Sequence, residues 1–124
     1  MTKRKILLIG AGGHCKVVLD LLLSIKGYEI AGIIGLKENL GAKIFGFPVI
    51  GTDADLPRIL RSGIKCCFIA VAGIGDTRPR INLYHLVKKT GFVLPNLISP
   101  KALVSSRVIL GEGNYVAPGV IINA

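Results

Sequence analysis

Lys5-Ile6-Leu7-Leu8-Ile9-Gly10-Ala11-Gly12-Gly13-His14 joins an unbroken aliphatic run to a glycine-rich turn. The run reads as a strand buried on both faces, and Gly10-Ala11-Gly12-Gly13 as the tight turn that follows it. Val17, Val18, Leu21, Leu22 and Ile25 then fall at helical spacing. Lys26-Gly27 ends that helix with a cation near the C-terminal dipole and a glycine past the end. Ile30-Ala31-Gly32-Ile33-Ile34 is a second strand. Strand, helix and strand in this order predict a βαβ unit, with parallel pairing and a right-handed crossover. The expected fold class is therefore α/β, a Rossmann-like parallel sheet with flanking helices.

Further along the chain, Lys37 to Phe47 reads as a loop and Pro48-Val49-Ile50-Gly51 as a short edge strand. Leu56, Ile59 and Leu60 predict a short helix that stops at Gly63. Lys65 to Val71 is a third apolar strand, running into Ala72-Gly73-Ile74-Gly75. A helix from about Pro79 to Lys89 follows, with Pro79 in the first turn, where its missing N–H is harmless. Phe92-Val93-Leu94 and Leu97-Ile98 lead out of the domain.

The pattern then changes. Ile98, Val104, Leu110, Val116 and Ile122 recur every six residues, each followed by a small or compact polar residue: Ser99, Ser105, Gly111, Ala117 and Asn123. A period of six fits neither a helix nor a long strand. It fits a left-handed β-helix, in which each hexapeptide forms one side of a triangle, the aliphatic points inward and the small residue turns the corner. A plain β-meander is the simpler alternative. The expected organisation is residues 1–96 as an α/β domain and residues 97–124 as about one coil of β-helix. An end left uncapped in mid-repeat exposes its core, so the reading expects an interrupted chain or a covering partner.

Composition narrows the class. The chain has 124 residues, 51% of them hydrophobic and few aromatic, which supports one core without staples. The net charge of +9 is spread along the chain, and the densest cluster, Lys3-Arg4-Lys5, is short. No basic helix with interleaved aromatics appears, so the charge is read as serving a phosphorylated small ligand; no nucleic acid and no membrane partner is expected. Cys15, Cys66 and Cys67 lack framework spacing and are read as packing residues. No secretory leader or membrane span is visible, and a cytoplasmic protein is expected.

The residues that bear chemistry cluster near strand ends. Gly12 and Gly13 open a helix whose free N–H groups and dipole suit a phosphate, and Gly10 makes the turn. His14, in the first helical turn, is placed to donate to a phosphate or sugar oxygen. Gly73, Gly75 and Asp76 follow the third strand and are expected to face the first glycine loop. Arg80, one turn into the next helix, is expected to meet an anion or pair with Asp76. Each has a plainer alternative: a packing turn for the glycines and a solvated side chain for His14 and Arg80. His85 and Cys15 read as structural. No catalytic constellation and no metal-ligand spacing is found. The dinucleotide fingerprint is incomplete. Cys15 stands where its third glycine belongs, and the second strand ends in Ile34-Gly35-Leu36 without an acidic residue.

Together, Gly10-Ala11-Gly12-Gly13-His14, Gly46-Phe47-Pro48-Val49-Ile50-Gly51, Phe68-Ile69-Ala70-Val71 and Leu97-Ile98-Ser99-Pro100-Lys101-Ala102 resemble the sugar O- and N-acyltransferases of the NeuD/PglD type. The resemblance covers essentially the whole chain. It implies a nucleotide-sugar-binding domain, with Gly12, Gly13 and His14 as loop contacts and Gly73 or Gly75 as the second. It also implies a β-helix that uses acetyl-CoA as co-substrate, and homotrimers. The substrate class implied is a UDP-linked amino sugar or a sialic-acid-type sugar. Where the family carries an acidic pair after the second strand, this chain has Gly35-Leu36. The family's catalytic His and acetyl-CoA contacts fall beyond Ala124, so no cofactor is expected on this chain and it is expected to be inactive alone. A non-catalytic assembly module and a fragment of an NAD-dependent oxidoreductase are the rival readings.

Overall fold

A computed structural model describes residues 3–71 and 75–124. Strands β1 (Arg4–Ile9), β2 (Tyr28–Ile34), β3 (Lys43–Ile44), β4 (Phe47–Gly51) and β5 (Cys66–Ile69) form one sheet in the order β3-β4-β2-β1-β5. The β1–β2, β1–β5 and β2–β4 pairings are parallel. Helices α1 (Gly13–Ser24), α2 (Leu56–Arg61) and α3 (Arg78–Thr90) flank the sheet. The strand-end signals thus produce the expected doubly covered α/β layer, with the glycine turn at its centre. Among the described residues, no helix is long and apolar enough to cross a membrane.

Alternation along the strands divides the core in two. Ile6 and Leu8 join Val18, Leu19, Leu22 and Phe68 on the α1 side, while Leu7 and Ile9 join Leu56, Ile59, Val87 and Phe92 on the other. Adjacent Cys66 and Cys67 split the same way, one to each face. Both faces of β1 are buried, which is why its sequence is a continuous aliphatic run. Each large side chain buried here contributes about 1.5–3 kcal/mol.

Three expectations are corrected. Pro48–Gly51 is not at the edge: β3, within the expected loop, pairs antiparallel with β4 through Lys43↔Pro48 and Ile44↔Phe47. The hairpin turns on Phe45 (φ 49°) and Gly46 (φ 82°), the left-handed pair that tight hairpins demand. Lys43 then stands on the outermost strand, where a charge discourages further pairing. Second, Phe92–Leu94 does not simply leave the domain. Val93 bridges to β5, accepting from Cys67 N at 3.0 Å and donating to Lys65 O at 2.8 Å. Phe92 and Leu94 are buried to either side of it.

The third correction concerns the repeat. Strands β6 (Leu97–Ile98), β7 (Leu103–Val104), β8 (Tyr115–Val116) and β9 (Ile121–Ile122) pair in parallel as β6–β8 and β7–β9, so each residue meets the one three hexapeptides later. That register is one turn of a coil and the start of a β-helix. Val116 is buried and Val104, Leu110 and Ile122 are half-buried, while Leu103, Ile109 and Ile121 beside them point out. Ile98 shares the Val116 face through their pairing but is exposed rather than buried, and its neighbour Leu97 is buried on the opposite side. Leu97 packs in the α1-side core, so the first rung faces the α/β layer. The small column turns corners: Ala102 N donates to Ser99 O, Val108 N to Ser105 O and Val120 N to Ala117 O.

Candidate functional site

The ends of β1 and β2 and the start of α1 open into a cavity of about 740 Å³, lined by the glycine loop, Leu36, Asn39, Asp53 and one face of α3. Three glycines build its floor for different reasons. Gly10 has φ 120°, and a Cβ there would lie 2.8 Å from Ala70 O and Val71 Cγ2. The packing of the β5 end against the turn therefore requires this glycine. Gly12 (φ −94°) caps α1 without a side chain, and a Cβ at Gly12 or Gly13 would meet nothing within 4 Å. The fold does not require glycine at these two positions. Their lack of side chains instead leaves the backbone open to the cavity.

The first turn of α1 carries no acidic residue, so its dipole is uncompensated there. Among the described residues, nothing accepts from the N–H groups of Gly13 and His14. His14 is half-buried and lines the cavity. Burial, and secondarily the Arg80 guanidinium, hold its pKa below the ordinary histidine value. Its imidazole is thus neutral at neutral pH, able to donate from one nitrogen and accept at the other. The ring meets the edge of Tyr115 with centroids 5.8 Å apart and planes at 69°. The β-helix therefore touches the glycine loop directly. Burial pushes the Cys15 thiol up to about 11, which disfavours the reactive thiolate despite its place at a helix start.

The second loop departs from expectation. Gly73 falls within residues 72–74, outside the described residues. Gly75 (φ 83°) and Asp76 line neither this cavity nor the neighbouring one. Asp76 does not pair with Arg80. Its Oδ1 accepts from Arg78 N and Nε at 3.0 Å, and its Oδ2 from Arg78 Nη2 at 2.9 Å. The nearer basic residue thus takes it, and Asp76 helps cap α3. Arg80 is exposed and lines a second cavity of about 450 Å³, between α3 and residues 112–114. The site consequently gathers Gly10, Gly12, Gly13 and His14, with Arg80 acting on His14 by charge. His85 is exposed on α3 and lines neither cavity.

Sequence reasoning missed Asn39, Asp53, Asn82 and Tyr115. Asn39 and Asp53 follow β2 and β4, so the rule that ligands sit beyond the carboxyl ends of strands was the available signal. Asn82 and Tyr115 carried none, since only the packing of α3 and the coil brings them close. Gly35, where an acidic residue was sought, is closely packed: a Cβ would stand 3.0 Å from Asn39 Cβ and 3.1 Å from Ala11 Cβ. Among the described residues no cluster of His, Cys, Asp and Glu is suited to a metal ion.

Known proteins share this arrangement. Residues 5–87 match the PglD N-terminal domain family. A perosamine N-acetyltransferase from Caulobacter crescentus, solved as an H141N mutant with CoA and GDP-perosamine, superposes with a TM-score of 0.86 and 38% identity. The match covers 97% of this chain and 54% of that one. The acetyltransferase domain of PglB from Neisseria gonorrhoeae, in complex with acetyl coenzyme A, gives a TM-score of 0.78 and 36% identity over 97% of this chain and 56% of that one. The uncharacterized protein L142 of Acanthamoeba polyphaga mimivirus is 33% identical over 109 residues, 88% of this chain and 20% of the relative. The chain thus spans about half the length of the solved acetyltransferases and a fifth of the viral protein.

Proposed function

The chain belongs to the PglD N-terminal domain family of sugar acetyltransferases, and from that premise we propose that it is the part that binds the nucleotide sugar. The observation that carries this reading is the pair Gly12 and Gly13, glycines without a structural requirement that line a cavity at an uncompensated helix start. A diphosphate placed there receives the N–H groups of Gly13 and His14 and the positive end of α1. The neutral His14 imidazole adds a directional hydrogen bond to a phosphate or sugar oxygen, while Arg80 supplies long-range positive charge. Apolar walls from Leu36, Leu83 and Leu86 shield these contacts from water. The GDP-perosamine bound to the Caulobacter enzyme supports a nucleotide amino sugar as the ligand class.

In the same reading the complete reaction moves an acetyl group from acetyl-CoA to an amine or hydroxyl of the bound sugar. The residues described here bind and orient that sugar, and neither His14 nor His85 serves as the base. The division at residue 97, with a left-handed β-helix and trimers, belongs to this reading too. Calorimetric titration with UDP, UDP-N-acetylglucosamine, GDP and acetyl-CoA tests it. Nucleotide binding that disappears in Gly13→Val while the thermal transition stays unchanged is the expected result. Retention of full affinity in that variant would sink it.

A further inference from the structure

Two parts of the glycine-loop cavity differ in character. Near one, His14 touches Tyr115 of the β-helix. At the other, the loops after β2 and β4 are drawn together by the hydrogen bond from Gly35 N to Gly51 O at 3.0 Å. Each of these loops contributes one polar lining residue, Asn39 and Asp53. The inference that follows rests on the nucleotide-sugar reading above. In that reading the sugar is the group to be acetylated, so it points toward the β-helix and the nucleoside lies by Asn39 and Asp53.

These side chains offer complementary chemistry. Asn39 Oδ1 already accepts from Leu36 N at 2.9 Å, which fixes the amide and leaves Nδ2 as the donor for a ligand. The carboxylate of Asp53 has no hydrogen-bond or ion-pair partner among the described residues. Asp55, two residues on, has both: it accepts from Thr52 N at 2.8 Å and pairs with Arg58 at 3.4 Å. Asp53 is therefore an acceptor on a cavity wall whose donors must come from a ligand or from water.

We propose that Asp53 and Asn39 read the nucleobase and select guanine. A carboxylate is satisfied by adjacent donors, and guanine presents N1–H and an N2 amino hydrogen side by side, with the O6 acceptor next to them for Asn39 Nδ2. Uracil offers a single N3–H between carbonyl oxygens. A carboxylate taking that proton sets its second oxygen against a carbonyl, and a polar group left unpaired in this way is what discriminates.

The test is calorimetric titration of the chain with GDP and with UDP, for the native sequence and for Asp53→Asn. Asp53 is exposed, so the variant is expected to fold, and its thermal transition checks this. The native chain should prefer GDP by about tenfold or more, the range of one bidentate base contact. Asp53→Asn should erase most of that preference by weakening GDP alone. Equal weakening of both nucleotides would mean the carboxylate holds the shared ribose, and this would overturn the assignment. A native preference for UDP, or no preference, would overturn it as well while leaving the nucleotide-sugar reading intact. Failure of the native chain to bind either nucleotide would remove both.

Discussion

At the residue scale, His14 is a group whose state is set by what surrounds it. Its folded pKa lies below the ordinary value of 6.5, so the unfolded chain takes up the proton first. Stability from this group is complete above 6.5 and is lost as the pH falls through the window below that value. Proton NMR should place its midpoint below 6.5, and Arg80→Ala should raise that midpoint by removing a like charge. An unchanged midpoint in the variant would mean that burial alone sets it. Tyr115→Ala should also raise it by exposing the ring. The glycines separate by the same reasoning. Gly10→Ala forces a Cβ against Ala70 O at positive φ and should cost about 1–3 kcal/mol in denaturant unfolding. Gly13→Ala, with open space and helical backbone, should leave stability unchanged or raise it by up to about 1 kcal/mol.

At the element scale, the coil is fastened to the α/β layer by polar side chains that no sequence pattern announces. Glu112 accepts from the Tyr84 hydroxyl at 2.7 Å and from Lys88 Nζ at 3.0 Å, tying its loop to α3. Asn96 donates to Gly111 O at 2.7 Å and accepts from Asn114 N at 2.8 Å, replacing the corner hydrogen bond that the other hexapeptides make within themselves. Tyr84 and then Lys88 hold the Glu112 carboxyl below its ordinary range. That fastening is therefore present above the unfolded carboxyl value and fades as the pH falls through the lower folded one. Amide exchange at Gly113 and Asn114 should quicken in Asn96→Ala, with a loss of about 1 kcal/mol per hydrogen bond. Exchange there that is no faster would show that Leu97 packing alone secures the coil. The β3–β4 hairpin was hidden for a related reason. Its strand is two residues long, and its turn is Phe45-Gly46 rather than an Asn-Gly or Asp-Gly pair.

At the scale of the whole molecule, the parts legible in the sequence were those set by period. The aliphatic run of β1, the helical spacing of α1 and the step of six each reported a face that had to be buried. The second loop and the Asn39 and Asp53 wall of the cavity were not legible, because single polar residues such as Asp53 and Asp76 carry no period that marks where they will sit. Burial of the whole also governs its thiols. All three cysteines are buried and unpaired, with Cys15 pushed up to about 11 and Cys67 to about 12. Alkylation at neutral pH should therefore be slow for those two in the folded protein and should accelerate many-fold in denaturant. Rapid native labelling at Cys15 would instead reveal frequent local opening of the glycine loop. The first rung offers a final consequence. Leu97 is committed to the α/β core while its neighbour Ile98 pairs with Val116 in the coil, so the sheet dictates which way every later rung faces. The α/β layer thus acts as a template that sets the phase of the repeat. One residue inserted between Leu94 and Leu97 would turn each aliphatic of the column from inside to outside.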